Sequence, residues 1–416
     1  MTTPEEHFAE VAAAQPRCFW LDGGGARDWS GRRSIIGWLD PDDVSLTLDA
    51  RAGEVRRHTG GGSVVVGSDI FEVLEAELAS GSAQDQWFGY LGYASRPDLP
   101  ARPDRSAAEG GMPDAVWMRP RHVRSFTHAA AVGTRRTGPA EGLPTVPVAY
   151  AAAFAAVQEE LRAGNSYEVN LTHRVTTRSD LDPVTAYLRL RELNPAPYAG
   201  FLQHDVDGAR GWLLSSSPER FALVGADGEC ETRPIKGTTP RGATAALDEA
   251  SRAHLAADPK LRAENLMIVD LLRNDLSAVC EPGTVTVPEL MAVESYESVH
   301  QLVSTVRGRL RAGVSTVRAL HALFPPGSMT GAPKLRTMEI IDAVEATPRG
   351  AYAGGFGWLA ADGRADLGVV IRSLMTAGDG RWTLGTGGGI TVRSEVAEEY
   401  AEATWKAERL LQVLAG

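Results

Sequence analysis

Strand-like and helix-like stretches follow one another along this chain in no regular order, and that irregularity narrows the fold more than any single motif. The runs "SLTLDA", "SVVVG", "WLLSSS", "RFALVG", "GTVTV" and "LGVVIRSLM" read as strands, while "DIFEVLEAELAS" and "AAAFAAVQEELRAG" carry the helical period. Gly164 stands where a helix C-terminus needs a residue tolerant of positive φ. In "SYEVNLTHRVTTR", Tyr167, Val169 and Leu171 alternate with Glu168, Asn170 and Thr172, the period of a strand. With neither an internal repeat nor the βαβ alternation of a doubly wound sheet, the pattern predicts an α+β fold.

The 416 residues can bury a large core as one oversized domain or as two to three ordinary ones. Hydrophobic residues at 43% and charged residues at 23% indicate a globular chain. The formal net charge is −11, and no basic face interleaved with aromatics offsets it, which argues against nucleic acid as a partner. An anionic substrate must therefore be held by local cations, a metal or backbone amides. The N-terminus "MTTPEEHFAEVAAAQ" is not patterned as a secretory signal, and no apolar run reaches membrane-spanning length. Cys18, Cys230 and Cys280 are scattered and odd in number, which fits a reducing cytoplasm better than a disulfide framework or a cysteine zinc site. From Arg119 to Val148 the chain becomes basic and then Gly- and Pro-rich, and the later half of this stretch marks a junction between residues 1–145 and 146–416.

Three features bear on chemistry. In the last helical stretch, Glu395, Glu398, Glu399 and Glu402 fall on one face. Spacing alone leaves both an ordinary solvated acidic face and, with Glu264 from the apolar stretch "ENLMIVDLL", an oxygen-donor site for Mg²⁺. "GSMTGAPK" lacks P-loop spacing and reads as a loop entering a helix, with N–H groups able to meet an anion. "GTGGGI" is followed by strand-like residues, not a helix, so its glycines speak for close approach of a ligand to backbone and against a dinucleotide site. HExxH, GxSxG and a cysteine in a nucleophile-like setting are all missing from the sequence. Finally, "ETRPIKGTTPRG" sets Lys236 among Pro, Gly and Thr, a composition that predicts a turn and a solvated amine.

From about Tyr150 to Leu414 the collinear segments "SYEVNL", "NPAPYAGFL", "SSSPERF", "ETRPIKGTTPRG", "ENLMIVDLLRNDLS", "YESVHQLVS", "FPPGSMTGAPKLRTMEIID", "YAGGFGW", "VVIRSLM" and "GTGGGI" with "EEYAE" resemble the chorismate-utilising enzymes. Residues 1–145 match more loosely, chiefly through "FGYLGY". The resemblance implies a single large domain of two packed antiparallel sheets with helices outside and chorismate between them. It implies Mg²⁺ on Glu264 and Glu402 with Glu399 nearby. Substrate contacts are expected from Gly237, Thr238, His300, Thr330, Tyr352, Arg372, Gly387, Gly389 and Lys406. It also implies an ammonia-supplying glutamine amidotransferase as partner, and tryptophan as a candidate second ligand of "NPAPYAGFL".

Within that family, anthranilate-forming relatives have alanine at the position of Lys236, and relatives that aminate chorismate at C4 have the lysine. The resemblance thus implies attack of the Lys236 amine on ring C2, entry of ammonia at C4, and Glu219 as the acid that protonates the departing hydroxyl. Amination to anthranilate, isomerisation, or a silent chorismate- or tryptophan-binding regulatory homologue are the competing readings. A free lysine has a pKa of about 10.4, and lowering it by about three units corresponds to roughly 4 kcal/mol. Burial with a nearby cation, Arg233 or Mg²⁺, is expected to lower it here. Glu168 departs from the glutamine usual in aminating relatives and from the lysine of those that use water; a carboxylate there is a candidate proton acceptor for Lys236 or ammonium.

Overall fold

The computed structural model describes residues 2–23, 33–106, 109–127, 143–295 and 299–415. The later half of the expected junction falls largely outside them. Among the described residues, strands assemble into two antiparallel sheets, one of nine strands and one of twelve. Both sheets draw on both portions of the chain. Arg17–Asp22 pairs with Tyr198–His204 in the nine-stranded sheet, and Gln86–Leu91 pairs with Gly355–Ala360 in the twelve-stranded one. Residues 1–145 and 146–416 therefore share their sheets and form one folded unit, as the resemblance implied.

The sheets pack face to face because their strands carry large apolar side chains at alternate positions. Phe19, from the nine-stranded sheet, stacks on Phe88, from the twelve-stranded one, with ring centroids 4.1 Å apart. Its neighbour Trp20 points the other way, to a second cluster where Phe8, Tyr187 and Leu410 arrive from three helices on the outer face. Full burial of each such side chain stabilises the fold by roughly 1.5–3 kcal/mol. Cys18, Cys230 and Cys280 are buried and free. Among the described residues no helix is long and apolar enough to cross a membrane.

Three local departures from the sequence expectation build the central cleft. "LGVVIRSLM" is two strands, not one: Ala365–Val369 lies in the twelve-stranded sheet and Ser373–Thr376 in the nine-stranded sheet. The chain crosses the gap between them, and at the crossing Arg372 adopts φ 51°. The lysine of "PIKGT" sits in an edge strand, Ile235–Pro240, whose pairing with Val299–Arg309 slips between Ile235 and Thr238. Gly237 at that bulge has φ +96°, a conformation an L side chain rarely adopts, and the bulge re-aims Lys236. An apolar run such as Leu266–Leu272 predicts burial nearly all round, yet the helix Pro259–Ser277 buries one face only, with Leu266 about half exposed.

Candidate active site

A cavity of about 570 Å³ opens between the two sheets. One wall is the edge strand Ile235–Pro240 with Gln301 from its neighbour. The other is the glycine run Gly385–Gly389 with Asn170. The helices Pro259–Ser277 and Val396–Leu414 and the loop at Ser328 and Met329 complete it. The loop is fixed from below by Arg349, a buried guanidinium that donates to the carbonyls of Met329 at 2.6 Å and Asn170 at 2.8 Å. Glu345 balances its charge at 2.7 Å.

Lys236 is only 8% exposed, and its Nζ donates to Glu168 Oε1 from the opposite sheet. The turn-like composition suggested a solvated amine; the bulge turns it inward instead. Space for the pair exists because residue 389 has no side chain. A Cβ there would lie 2.0 Å from Glu168 Oε1 and 3.2 Å from Lys236 Nζ. The second oxygen of Glu168 is buried without a hydrogen-bond partner among the described residues. The lowered lysine pKa expected from sequence is not what the site gives. Burial pulls the Lys236 amine down, but Glu168, Glu264 and Glu219 outweigh it and hold the pKa above its ordinary value. Arg233, the cation considered for lowering it, pairs instead with Glu294 and, at 3.4 Å, with Glu289.

Glu219 lines the same cavity. Burial pushes its carboxyl up to about 7, against the Ser328 hydroxyl, Lys236 and Lys406, which pull it down. Glu264 is raised to about 7 as well, by burial and by Glu168 and Glu399, with Lys236 and Lys260 opposing. Its Oε1 is buried with no hydrogen-bond partner among the described residues. Lys406 donates to the Gly387 carbonyl at 2.8 Å and pairs with Glu402 at 2.7 Å, and this charge draws the Glu402 carboxyl below its usual range. The Glu402 side chain, 51% exposed, marks the cavity mouth. Arg372 faces the cavity with its guanidinium 5.9 Å from the Trp405 ring centroid. Burial lowers its pKa to about 10, which leaves it charged at neutral pH.

Of the residues predicted from sequence, the cavity brings together Lys236, Glu219, Gly237, Thr238, Tyr352, Arg372, Gly387, Gly389, Lys406, Glu264, Glu399 and Glu402, with Glu168 behind Gly389. His300 and Thr330 are not in its lining. His300 is buried on the far side of its strand, with Nε2 3.1 Å from Asp248 Oδ1 and Nδ1 2.8 Å from the Ser295 hydroxyl. Gln301, its neighbour in the pleat, faces the cavity instead. The Thr330 hydroxyl donates to the Gly327 carbonyl at 3.1 Å, and its own carbonyl accepts from Asn170 N–H at 2.8 Å. Sequence reasoning missed Asn170, Gln301, Trp405 and Lys260. Lys260 alone had a readable signal, standing four residues before Glu264 on a helix.

Glu264, Glu399 and Glu402 offer only carboxylate oxygens, the donor set that suits a hard divalent cation, and the unpartnered Glu264 Oε1 leaves one donor unused. Among the described residues no three Asp, Glu, His or Cys side chains already converge as a ligand cluster. Lys260 stands among these carboxylates, with Nζ 2.8 Å from Glu399 Oε1 and 4.0 Å from Glu264 Oε1.

Residues 143–412 match the family described as chorismate binding enzyme. The chain is 40% identical to an aminodeoxychorismate synthase of Streptomyces pristinaespiralis, an alignment covering 98% of this chain and 63% of that protein. It is 46% identical to aminodeoxychorismate synthase component 1 of Klebsiella aerogenes over 64% of this chain and 57% of that one. The chain thus spans less than two thirds of the length of these relatives. Among solved structures, anthranilate synthase component I from Streptococcus pneumoniae superposes with a TM-score of 0.74 at 25% identity, covering 91% of this chain and 92% of that one. With the match spanning strands of both sheets, both helices and the glycine run that enclose the cavity, the chain belongs to the chorismate-binding enzyme family.

Proposed function

We propose that this chain converts chorismate and ammonia to 4-amino-4-deoxychorismate, with Lys236 as a covalent nucleophile. The observation that carries the reading is the buried Lys236 amine touching Glu168 in a cavity that also contains Glu219. A lysine held charged cannot attack, so Glu168 is the residue that must take its proton. The neutral amine then forms a bond to C2, the ring double bonds shift, and the C4–O bond breaks. Glu219, half protonated near neutral pH, gives its proton to the leaving hydroxyl, which departs as water. Ammonia adds at C4 and yields its extra proton to the Glu219 carboxylate. The double bonds shift back, the C2–N bond breaks, and the freed Lys236 amine recovers its proton from Glu168.

Arg372 and Lys406 are the cations available to the substrate carboxylates, and the fork of Arg372 suits a carboxylate well. Mg²⁺ fits the oxygen donors Glu264, Glu399 and Glu402, and when bound would offset their charge and bind a substrate carboxylate. The "component 1" in the name of the Klebsiella relative supports a second component for this chain too, and we assign it the glutamine amidotransferase role of supplying ammonia.

The test is incubation with chorismate, Mg²⁺ and ammonium, with the product identified by mass and by conversion to 4-aminobenzoate on addition of a lyase. Formation of 4-aminobenzoate supports the reading. Anthranilate or isochorismate as product, or binding of chorismate without turnover, overturns it.

A further inference from the structure

We infer that Lys260 is a built-in cation that occupies the carboxylate cluster until the metal displaces it, and so sets the affinity of the site for a divalent ion. The inference rests on the magnesium reading above. Lys260 Nζ donates to Glu399 Oε1 at 2.8 Å and lies 4.0 Å from Glu264 Oε1, the buried oxygen that has no hydrogen-bond partner among the described residues. Its charge is thus placed between two of the three proposed ligands. Lys406 pairs with the third, Glu402, at 2.7 Å and is tied by the Gly387 carbonyl at 2.8 Å, so the Glu264–Glu399 pair is left to Lys260. A divalent ion on Glu264 and Glu399 would face the ammonium at close range, and Coulomb repulsion in a partly buried site makes the two occupants alternatives.

The fold leaves Lys260 a way out. It stands in the first turn of the helix Pro259–Ser277, where the Asp258 side chain accepts from its backbone N–H at 2.9 Å and from that of Leu261 at 3.0 Å. The backbone is pinned, while the side chain, 37% exposed, has open space to swing into. Such a plug serves two ends. It relieves repulsion among Glu264, Glu399 and Glu402 when no metal is bound, and it raises the metal concentration needed for loading.

The chain, stripped of metal by chelation and dialysis, is titrated with MgCl₂ by calorimetry in the absence of chorismate, alongside Lys260→Met, Lys260→Gln and Lys260→Arg. If the plugged state holds nine-tenths of the population, Met and Gln tighten Mg²⁺ binding about tenfold while Arg keeps the wild-type value. The metal-free Met and Gln variants also melt at lower temperature than wild type, and Mg²⁺ raises their midpoints more than it raises that of wild type. Equal or weaker Mg²⁺ binding in both folded variants overturns the plug while leaving the magnesium site in place. Binding in none of the four proteins overturns the magnesium reading, and the plug with it.

Discussion

Lys236 and Glu168 meet across the gap between two sheets: the amine comes from a bulged edge strand of one, and the carboxylate comes from the first residue of a strand in the other. The charge state of the lysine is therefore decided by a residue 68 positions away. Burial favours the neutral amine, the surrounding carboxylates favour the ammonium, and the carboxylates win. Removing the charge at position 168 takes away the largest of the opposing influences and lets burial lower the lysine pKa. Glu168→Gln removes the proposed proton acceptor and should lower kcat/KM; because a nucleophilic amine works deprotonated, the rising limb of the activity that remains should also move to lower pH. A limb that stays in place or moves to higher pH contradicts this balance.

Gly389 is where the pair would be pushed apart. An added Cβ falls 2.0 Å from Glu168 Oε1, so Gly389→Ala should displace the carboxylate and the amine it holds. Displacement on the order of 1 Å can cost about 100-fold in rate, and that loss is expected in kcat/KM with the melting temperature little changed. Near-normal turnover would show that the Lys236–Glu168 contact is dispensable.

Much of this site could be read from the sequence, for reasons that differ residue by residue. Alternation in "SYEVNL" gave the strand, and helical spacing put Glu399 and Glu402 on one face, because both signals are local. The crossing from one sheet to the other at Arg372 was not readable: the residues on both sides of it favour strand equally, and only the positive φ marks the break. The choice between His300 and Gln301 was hidden too. It depends on which side of one strand meets the cavity, and a shift of one residue reverses the answer. Resemblance named the acidic residues, and helical spacing places Lys260 one turn before Glu264, but its contact with Glu399 depends on how two helices pack.

Glu219 gives a stability prediction with a definite sign. Its folded-state pKa of about 7 lies above the unfolded value of about 4.3, so the fold disfavours the charged form. Stability from the neutral carboxyl is present at low pH and is lost as pH rises through about 4.3 to 7. Glutamine carries no such penalty. Glu219→Gln should therefore gain on wild type in urea unfolding as pH rises from about 5 to about 8, by up to roughly 2–3 kcal/mol, while amination is lost. A pH-independent difference between the two proteins would contradict the assigned burial of this carboxyl.

Arg372 is charged and faces the cavity, yet among the described residues no carboxylate lies within ion-pair distance of it. That leaves its fork available for a substrate carboxylate. Arg372→Met should raise KM about 10- to 100-fold, the loss of roughly 1.5–3 kcal/mol of charge-assisted hydrogen bonding, with a smaller effect on kcat. An unchanged KM would place the substrate elsewhere.

The covalent role of Lys236 has a direct test in the protein incubated with chorismate and Mg²⁺ but without ammonium or glutamine, quenched by acid and digested for mass spectrometry. The account predicts a peptide containing Lys236 heavier by chorismate less one water, lost on addition of ammonium and missing from Lys236→Ala. An unmodified Lys236 in a preparation that aminates chorismate once ammonium is supplied, or full amination by Lys236→Ala, would contradict it.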